Sequence, residues 1–146
     1  SKVCWDDELV IVTPPGHPLT ENPLSGVDAL LEYPFISREE GSGTRNVIVD
    51  YLQSAGRDIS DLNLTMEFGS PESIKSAVVA GLGISILSIA TLNKELELGM
   101  LSKLSLDPPL TRPFSIVYQR QKFRLRAMDE FLEFTEAHCG EKQAAK

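Results

Sequence analysis

The 146 residues are 42% hydrophobic and 24% charged, the balance of a folded globular chain long enough to bury a core in one domain or two small lobes. A formal net charge of −7 argues against a duplex-binding surface of its own, because DNA binding needs clustered Lys and Arg to neutralise phosphates. No apolar run approaches the roughly 20 residues that span a bilayer and no signal-like start is present, so a cytoplasmic chain with no membrane partner is expected.

Leu9 to Val12 is an unbroken aliphatic run closed by Pro14-Pro15-Gly16, which predicts a buried strand meeting a loop. Pro18 and Pro23 interrupt the stretch that follows, and a short helix over Val27 to Leu31 leads to a strand near Pro34 to Ser37. That strand ends in the polar turn Arg38-Glu39-Glu40-Gly41-Ser42-Gly43-Thr44-Arg45, after which Val47, Ile48, Tyr51, Leu52 and Ala55 recur at helical spacing and Gly56 stops the helix.

Ser42, Gly43, Thr44 and Arg45 are the first candidate ligand site. The opening N–H groups of a helix lack intrahelical partners and carry partial positive charge, so an anion fits there. Gly41 and Gly43 allow the backbone to bend and approach a ligand, Ser42 and Thr44 add hydroxyls, and Arg45 adds a forked cationic donor. The same residues also fit a well-capped helix beside a solvated arginine. A nucleotide is not implied. The phosphate loop of nucleotide hydrolases needs Gly-Lys-Ser/Thr, and neither Gly41-Ser42-Gly43 nor Gly81-Leu82-Gly83 has the third glycine of the dinucleotide fingerprint.

Leu64, Met66 and Phe68 alternate with polar residues and predict a strand. Gly69-Ser70-Pro71-Glu72 then forms a second loop-to-helix start, with Ser70 as N-cap, Pro71 in the first helical position and Glu72 in the first turn. Capping explains all three residues, and a role in ligand binding is compatible with it. Ile74, Ala77 and Val78 give this helix its apolar face before Gly81-Leu82-Gly83 and a strand over Ile84 to Leu87. Strands and helices alternating with short connections predict an α/β fold of mostly parallel sheets flanked by helices, with ligands at the carboxyl ends of the strands.

Beyond Ser88 the pattern predicts a helix with Ile89, Leu92 and Leu96 ended by Gly99, and a strand near Leu101 to Leu104. A break at Pro108-Pro109 follows, then a strand with Phe114, Ile116 and Tyr118. A final helix should bury Leu125, Met128, Phe131 and Leu132, and residues 140–146 should fray. Cys4, Cys139, His17 and His138 are isolated, so neither a metal site nor a disulfide is expected, and no cofactor is implied. Ser42 and Thr44 have no base nearby in sequence, which argues against a hydrolytic enzyme.

Six pieces carry a family resemblance. In order they are Asp7-Glu8-Leu9-Val10-Ile11-Val12 with Gly16-His17-Pro18-Leu19, Pro34-Phe35-Ile36 with Gly41-Ser42-Gly43-Thr44-Arg45, Ala80-Gly81-Leu82-Gly83-Ile84-Ser85-Ile86-Leu87, and Arg112-Pro113-Phe114 to Tyr118. Their order and spacing resemble the carboxyl-terminal part of the effector-binding domain of LysR-type transcription regulators. The variant Glu-Glu-Gly-Ser-Gly-Thr-Arg resembles subgroups that control sulfur assimilation or carbon fixation.

The resemblance implies a two-lobed fold like type 2 periplasmic binding proteins, with a small anionic metabolite bound in the interlobe cleft. It implies residues 1–12 as a crossover strand, 13–84 as lobe II and 85–139 as the returning part of an incomplete lobe I. Val12, Thr13, Gly83 and Ile84 would be hinge residues, and Ser70, Pro71 and Glu72 would line the cleft beside Ser42 to Arg45. It further implies a homo-oligomer, dimer or tetramer, that meets DNA through an N-terminal winged helix-turn-helix domain. That domain and the opening half of lobe I are expected to be missing from this chain, which would make it a fragment. A periplasmic-type solute-binding protein for a small anion is the alternative.

Overall fold

The structure is a computed structural model that describes residues 2–21, 27–117 and 126–144. Contacts divide the chain into two compact units, Glu8–Leu110 and Ser1–Asp7 with Thr111–Lys146.

Within the larger unit, the aliphatic run lies in strand β1 (Lys2–Thr13) and pairs antiparallel with β4 (Ser85–Ser88), Leu9 opposite Ser88 and Val12 opposite Ser85. β5 (Ser102–Ile116) flanks β1 on the other side. Successive side chains of a strand point to opposite faces. Leu9 and Ile11 accordingly enter one apolar cluster while Val10 and Val12 enter another. A strand covered on both faces has no polar side to show, and that is why the run is continuously aliphatic.

Helices cover each face. α3 (Gly43–Ser54) brings Ile48, Tyr51 and Leu52 to the first cluster, together with Leu19 of α1 (Pro18–Glu21) and Ala29 and Leu30 of α2 (Asp28–Leu31). α4 (Pro71–Val79) brings Ile74, Ala77 and Val78 to the second, where Leu92 precedes the short α5 (Asn93–Glu97). Each wholly buried Leu, Ile or Phe in these clusters contributes about 1.5–3 kcal/mol of transfer free energy.

β2 (Phe35–Arg38) and β3 (Leu64–Phe68) form a parallel pair, and β2 also bridges in parallel to Ile84. The Ile84 N–H donates to the Pro34 carbonyl at 2.8 Å, and the Ile36 N–H donates to the Ile84 carbonyl at 2.8 Å. α3 ends as the sequence predicts. Gly56 has φ +73°, its N–H donates to the Gln53 carbonyl, and the Arg57 N–H reaches back to Leu52, the paired bonds of a glycine-ended helix.

Several expectations change. The sheet containing β1 is antiparallel where it pairs with β4, so the parallel arrangement belongs to β2, β3 and Ile84. β5 passes through Pro108-Pro109 without a break, with a cis bond between Asp107 and Pro108. Prolines are tolerated there because β5 is the outer strand of its sheet among the described residues, so lost N–H donors cost no ladder bond on the open side. A helical turn at Pro18–Glu21 and a 3₁₀ turn at Ile59–Asp61, capped by the Asp58 carboxylate, were not anticipated.

In the smaller unit, the buried Asp7 carboxylate pairs with Arg112 Nε at 3.0 Å, and the Arg112 guanidinium lies over the Phe114 ring. α6 (Arg126–Ala144) continues through residues expected to fray. Cys139 is buried, and Met128 and Leu132 are half-buried on the same helix face, whereas Phe131 is 64% exposed instead of buried. Tyr118 and Leu125 lie outside the described residues.

Candidate functional site

The parallel register sets Arg38 of β2 opposite Phe68 of β3, so both strands deliver their following loops to the same end. The Glu39 N–H donates to the Phe68 carbonyl at 3.1 Å, extending the pairing one residue into the loop. The α3 and α4 starts therefore stand at one strand end, as the sequence predicts, at the carboxyl ends where such folds take ligands.

The turn before α3 is built around Gly41. The Ser42 N–H donates to the Glu39 carbonyl at 3.2 Å, and Gly41 in the third position of that turn has φ +86°, a conformation that favours glycine. Ser42 is the N-cap, extended at φ −64° and ψ 132°, yet its hydroxyl makes no capping bond. The first bond of the helix ladder runs from the Asn46 N–H to the Ser42 carbonyl at 3.0 Å, leaving the Gly43 and Arg45 amides without intrahelical acceptors. Gly43 has open space where a Cβ would stand, with no atom within 4 Å. Ser42 and Thr44 are each 8% exposed, whereas Gly41 and Gly43 are exposed.

The α4 start differs. Ser70 Oγ accepts from the Ser73 N–H at 3.2 Å and lies 3.0 Å from the Ser73 hydroxyl, so this cap is closed by its own chain. Pro71 occupies the first turn, where its missing N–H costs nothing. Glu72 lines a cavity of about 290 Å³ with Lys75, Glu95 and Met100, and a second cavity of about 340 Å³ lies at the far end of α3 beside Tyr51 and Arg57.

Charge around this corner is largely compensated. Arg38 grips Glu39 side-on, Nε to Oε2 at 2.7 Å and Nη2 to Oε1 at 2.9 Å. This bond holds the Glu39 carboxyl below its ordinary range and raises Arg38. Arg45 Nη1 pairs with Glu67 and donates to the Arg38 carbonyl at 3.0 Å. The positive potential left at the α3 start is therefore that of the helix amides and of whatever part of Arg45 its partners do not use. Sequence reading named Arg45 but missed Glu67. The alternation of Leu64, Met66 and Phe68 sets Glu67 on the other face of β3, but only the register between β2 and β3 brings it to Arg45.

The four residues expected to be hinges lie together. Val12, Thr13 and Ile84 are fully buried, Val12 pairs with Ser85, and Gly83 packs against Pro34. Among the described residues no group of His, Cys, Asp or Glu could hold a metal, and no helix is long and apolar enough to cross a membrane.

Two helix starts at the carboxyl end of a parallel strand pair occupy the place where layered α/β folds take their ligands. Residues 1–140 match the LysR substrate binding domain, and the chain belongs to that family. The regulatory domain of CcmR from Synechocystis PCC6803, solved in complex with 2-PG, is 31% identical, with a TM-score of 0.83 over 94% of this chain and 65% of that one. The effector binding domain of QuiR, solved with shikimate, shares the fold at a TM-score of 0.80 and 18% identity, over 96% of this chain and 65% of that one.

Among curated relatives, the HTH-type transcriptional regulator YeiE of Escherichia coli is 39% identical over 88% of this chain and 43% of its own length. A probable RuBisCO transcriptional regulator of Cyanidium caldarium is 35% identical over 86% of this chain and 40% of its own length. The chain thus spans less than half the length of the curated relatives it matches. The fold is that of LysR effector-binding domains, of the periplasmic-binding-protein type 2 class.

Proposed function

We propose that this chain is the effector-sensing part of a LysR-type transcription regulator and that a small anionic metabolite binds at Ser42, Gly43, Thr44 and Arg45, beside Ser70, Pro71 and Glu72. The observation that carries this reading is the contrast between the two helix starts. Ser70 closes the start of α4 with its own hydroxyl, while Ser42 leaves the start of α3 uncapped. Amides that a chain leaves without a cap at a strand end remain available to an oxyanion.

The residues between Val12 and Ile84 form the ligand-responsive lobe in this reading, with Val12, Thr13, Gly83 and Ile84 as the crossing points. The antiparallel pairing of Val12 with Ser85, which sets the two crossings side by side, supports it. The protein works in the cytoplasm as a homo-oligomer and meets DNA through a helix-turn-helix domain outside this chain. It binds its effector without turning it over. An effector that prefers one arrangement of the oligomer by roughly 1–3 kcal/mol changes DNA affinity 5- to 150-fold.

2-PG, a phosphate-bearing carboxylate, is the first compound to test, because a 31%-identical regulatory domain was solved with it. Calorimetric titration of 2-PG into the protein and its Thr44→Ala and Arg45→Ala variants tests the site. Saturable binding weakened at least tenfold in both variants is expected, about 1.4 kcal/mol. Binding that neither change weakens would assign the effector to other residues.

A further inference from the structure

The following step rests on the anion-binding reading of the α3 start and concerns what aims Arg45 at the anion. A guanidinium has five N–H donors, on Nε, Nη1 and Nη2. In Arg45 only Nη1 is engaged among the described residues, by the Glu67 carboxylate and by the Arg38 carbonyl at 3.0 Å. The Nε and Nη2 donors together form one edge of the group, whose two parallel N–H bonds match two oxygens of a phosphate or carboxylate. Arg38, next door, shows what that edge does with an oxyanion, since it is through Nε and Nη2 that it grips Glu39.

The position of Arg45 suits this use. It is the third residue of α3, and the Cα–Cβ bonds of a helix lean toward its N-terminus. The side chain runs back past the first turn to the end of β2, where it meets Arg38. Its guanidinium end is held between two strands, by a β2 carbonyl and a β3 carboxylate, and the side chain is only 18% exposed. With the carbonyl alone as partner, the planar group would turn about a single bond and lose its aim.

We propose that Glu67 is a positioning residue for effector binding: by fixing Nη1 it presents the Nε–Nη2 edge of Arg45 as a side-on fork to the oxyanion at the α3 start. The ligand class this favours is a phosphate or carboxylate, whose two oxygens match the two parallel N–H bonds of the fork.

Inorganic phosphate titrations followed by ¹⁵N NMR on the protein and on Glu67→Ala, Glu67→Gln and Arg45→Lys variants test this. Glu67 is half-exposed on β3, so the variants keep the fold, which their thermal unfolding midpoints check. In the unaltered protein phosphate should move both the Gly43 amide and the Arg45 Nε–H signals. Glu67→Ala and Arg45→Lys should each weaken binding about tenfold, with the Arg45 Nε–H response lost in Glu67→Ala. Glu67→Gln, whose amide oxygen still accepts from Nη1, should recover most of the affinity. If Glu67→Ala binds phosphate as tightly as the unaltered protein, or more tightly, Glu67 does not aim Arg45 and the proposal is wrong, although the anion site stands. If phosphate moves neither Gly43 nor Arg45 in the unaltered protein, the anion site itself fails and takes the proposal with it.

Discussion

Gly83 and Pro34 touch backbone to backbone: a Cβ on Gly83 would stand 2.5 Å from the Pro34 carbonyl oxygen and 3.2 Å from Ile36 Cγ1. The same carbonyl accepts the Ile84 N–H at 2.8 Å, so it cannot retreat without breaking the bridge between β2 and Ile84. Gly83→Ala should destabilise the protein by about 1–3 kcal/mol, the cost of overpacking a rigid contact. Urea unfolding checks this, and a stability within about 0.5 kcal/mol of the unaltered protein would mean the contact relaxes freely.

The two helix-opening serines should behave differently. Ser70 caps α4 through its hydroxyl, so Ser70→Ala should cost about 1 kcal/mol. Ser42 makes no such bond, so Ser42→Ala should cost less than about 0.5 kcal/mol while weakening effector binding. Equal losses of stability from the two changes would show that the Ser42 hydroxyl caps α3 after all.

Burial lowers His17 from its ordinary value of 6.5, and its Nδ1 accepts the Leu19 N–H at 3.2 Å, which requires the unprotonated nitrogen. The ring packs edge-on to Tyr33, 4.7 Å between centroids. Well above pH 6.5 the ring is neutral in both folded and unfolded chains, and stability is unaffected by it. As the pH falls below 6.5 the unfolded chain takes up the proton first, so stability declines until the folded ring also titrates. An NMR titration should place the His17 midpoint below 6.5, and His17→Gln should flatten the stability slope on the acid side of that value. A midpoint at or above 6.5 would contradict the neutral turn.

Much of this fold could be read from the chain because its signals are local. The caps at Ser70-Pro71 and Gly56 and the run at Leu9 to Val12 each specify an element without distant partners. The alternation of Leu64, Met66 and Phe68 gave a strand, but not that Leu64 and Met66 would be 40% and 37% exposed, because burial depends on what else covers β3. The continuity of β5 through Pro108-Pro109 escaped for a related reason: only sheet order tells that the strand lies on an outer edge. At the site, the helix starts were legible and the Arg45–Glu67 pair was not, since it depends on the register that sets Ser37 opposite Glu67.

Gly43 separates ligand binding from folding more cleanly than any other residue of the corner. Its backbone is not in the left-handed region and open space stands where a Cβ would go, so Gly43→Ala should fold with unchanged or slightly higher stability, up to about 1 kcal/mol. The added methyl group would nevertheless occupy the approach to the first-turn amides. Calorimetric titration of 2-PG into the protein and into Gly43→Ala, with urea unfolding of both, is the most direct measurement. Saturable binding that falls at least tenfold in the variant at equal stability is the expected result, and unchanged binding in a folded Gly43→Ala protein would contradict an anion site at the start of α3.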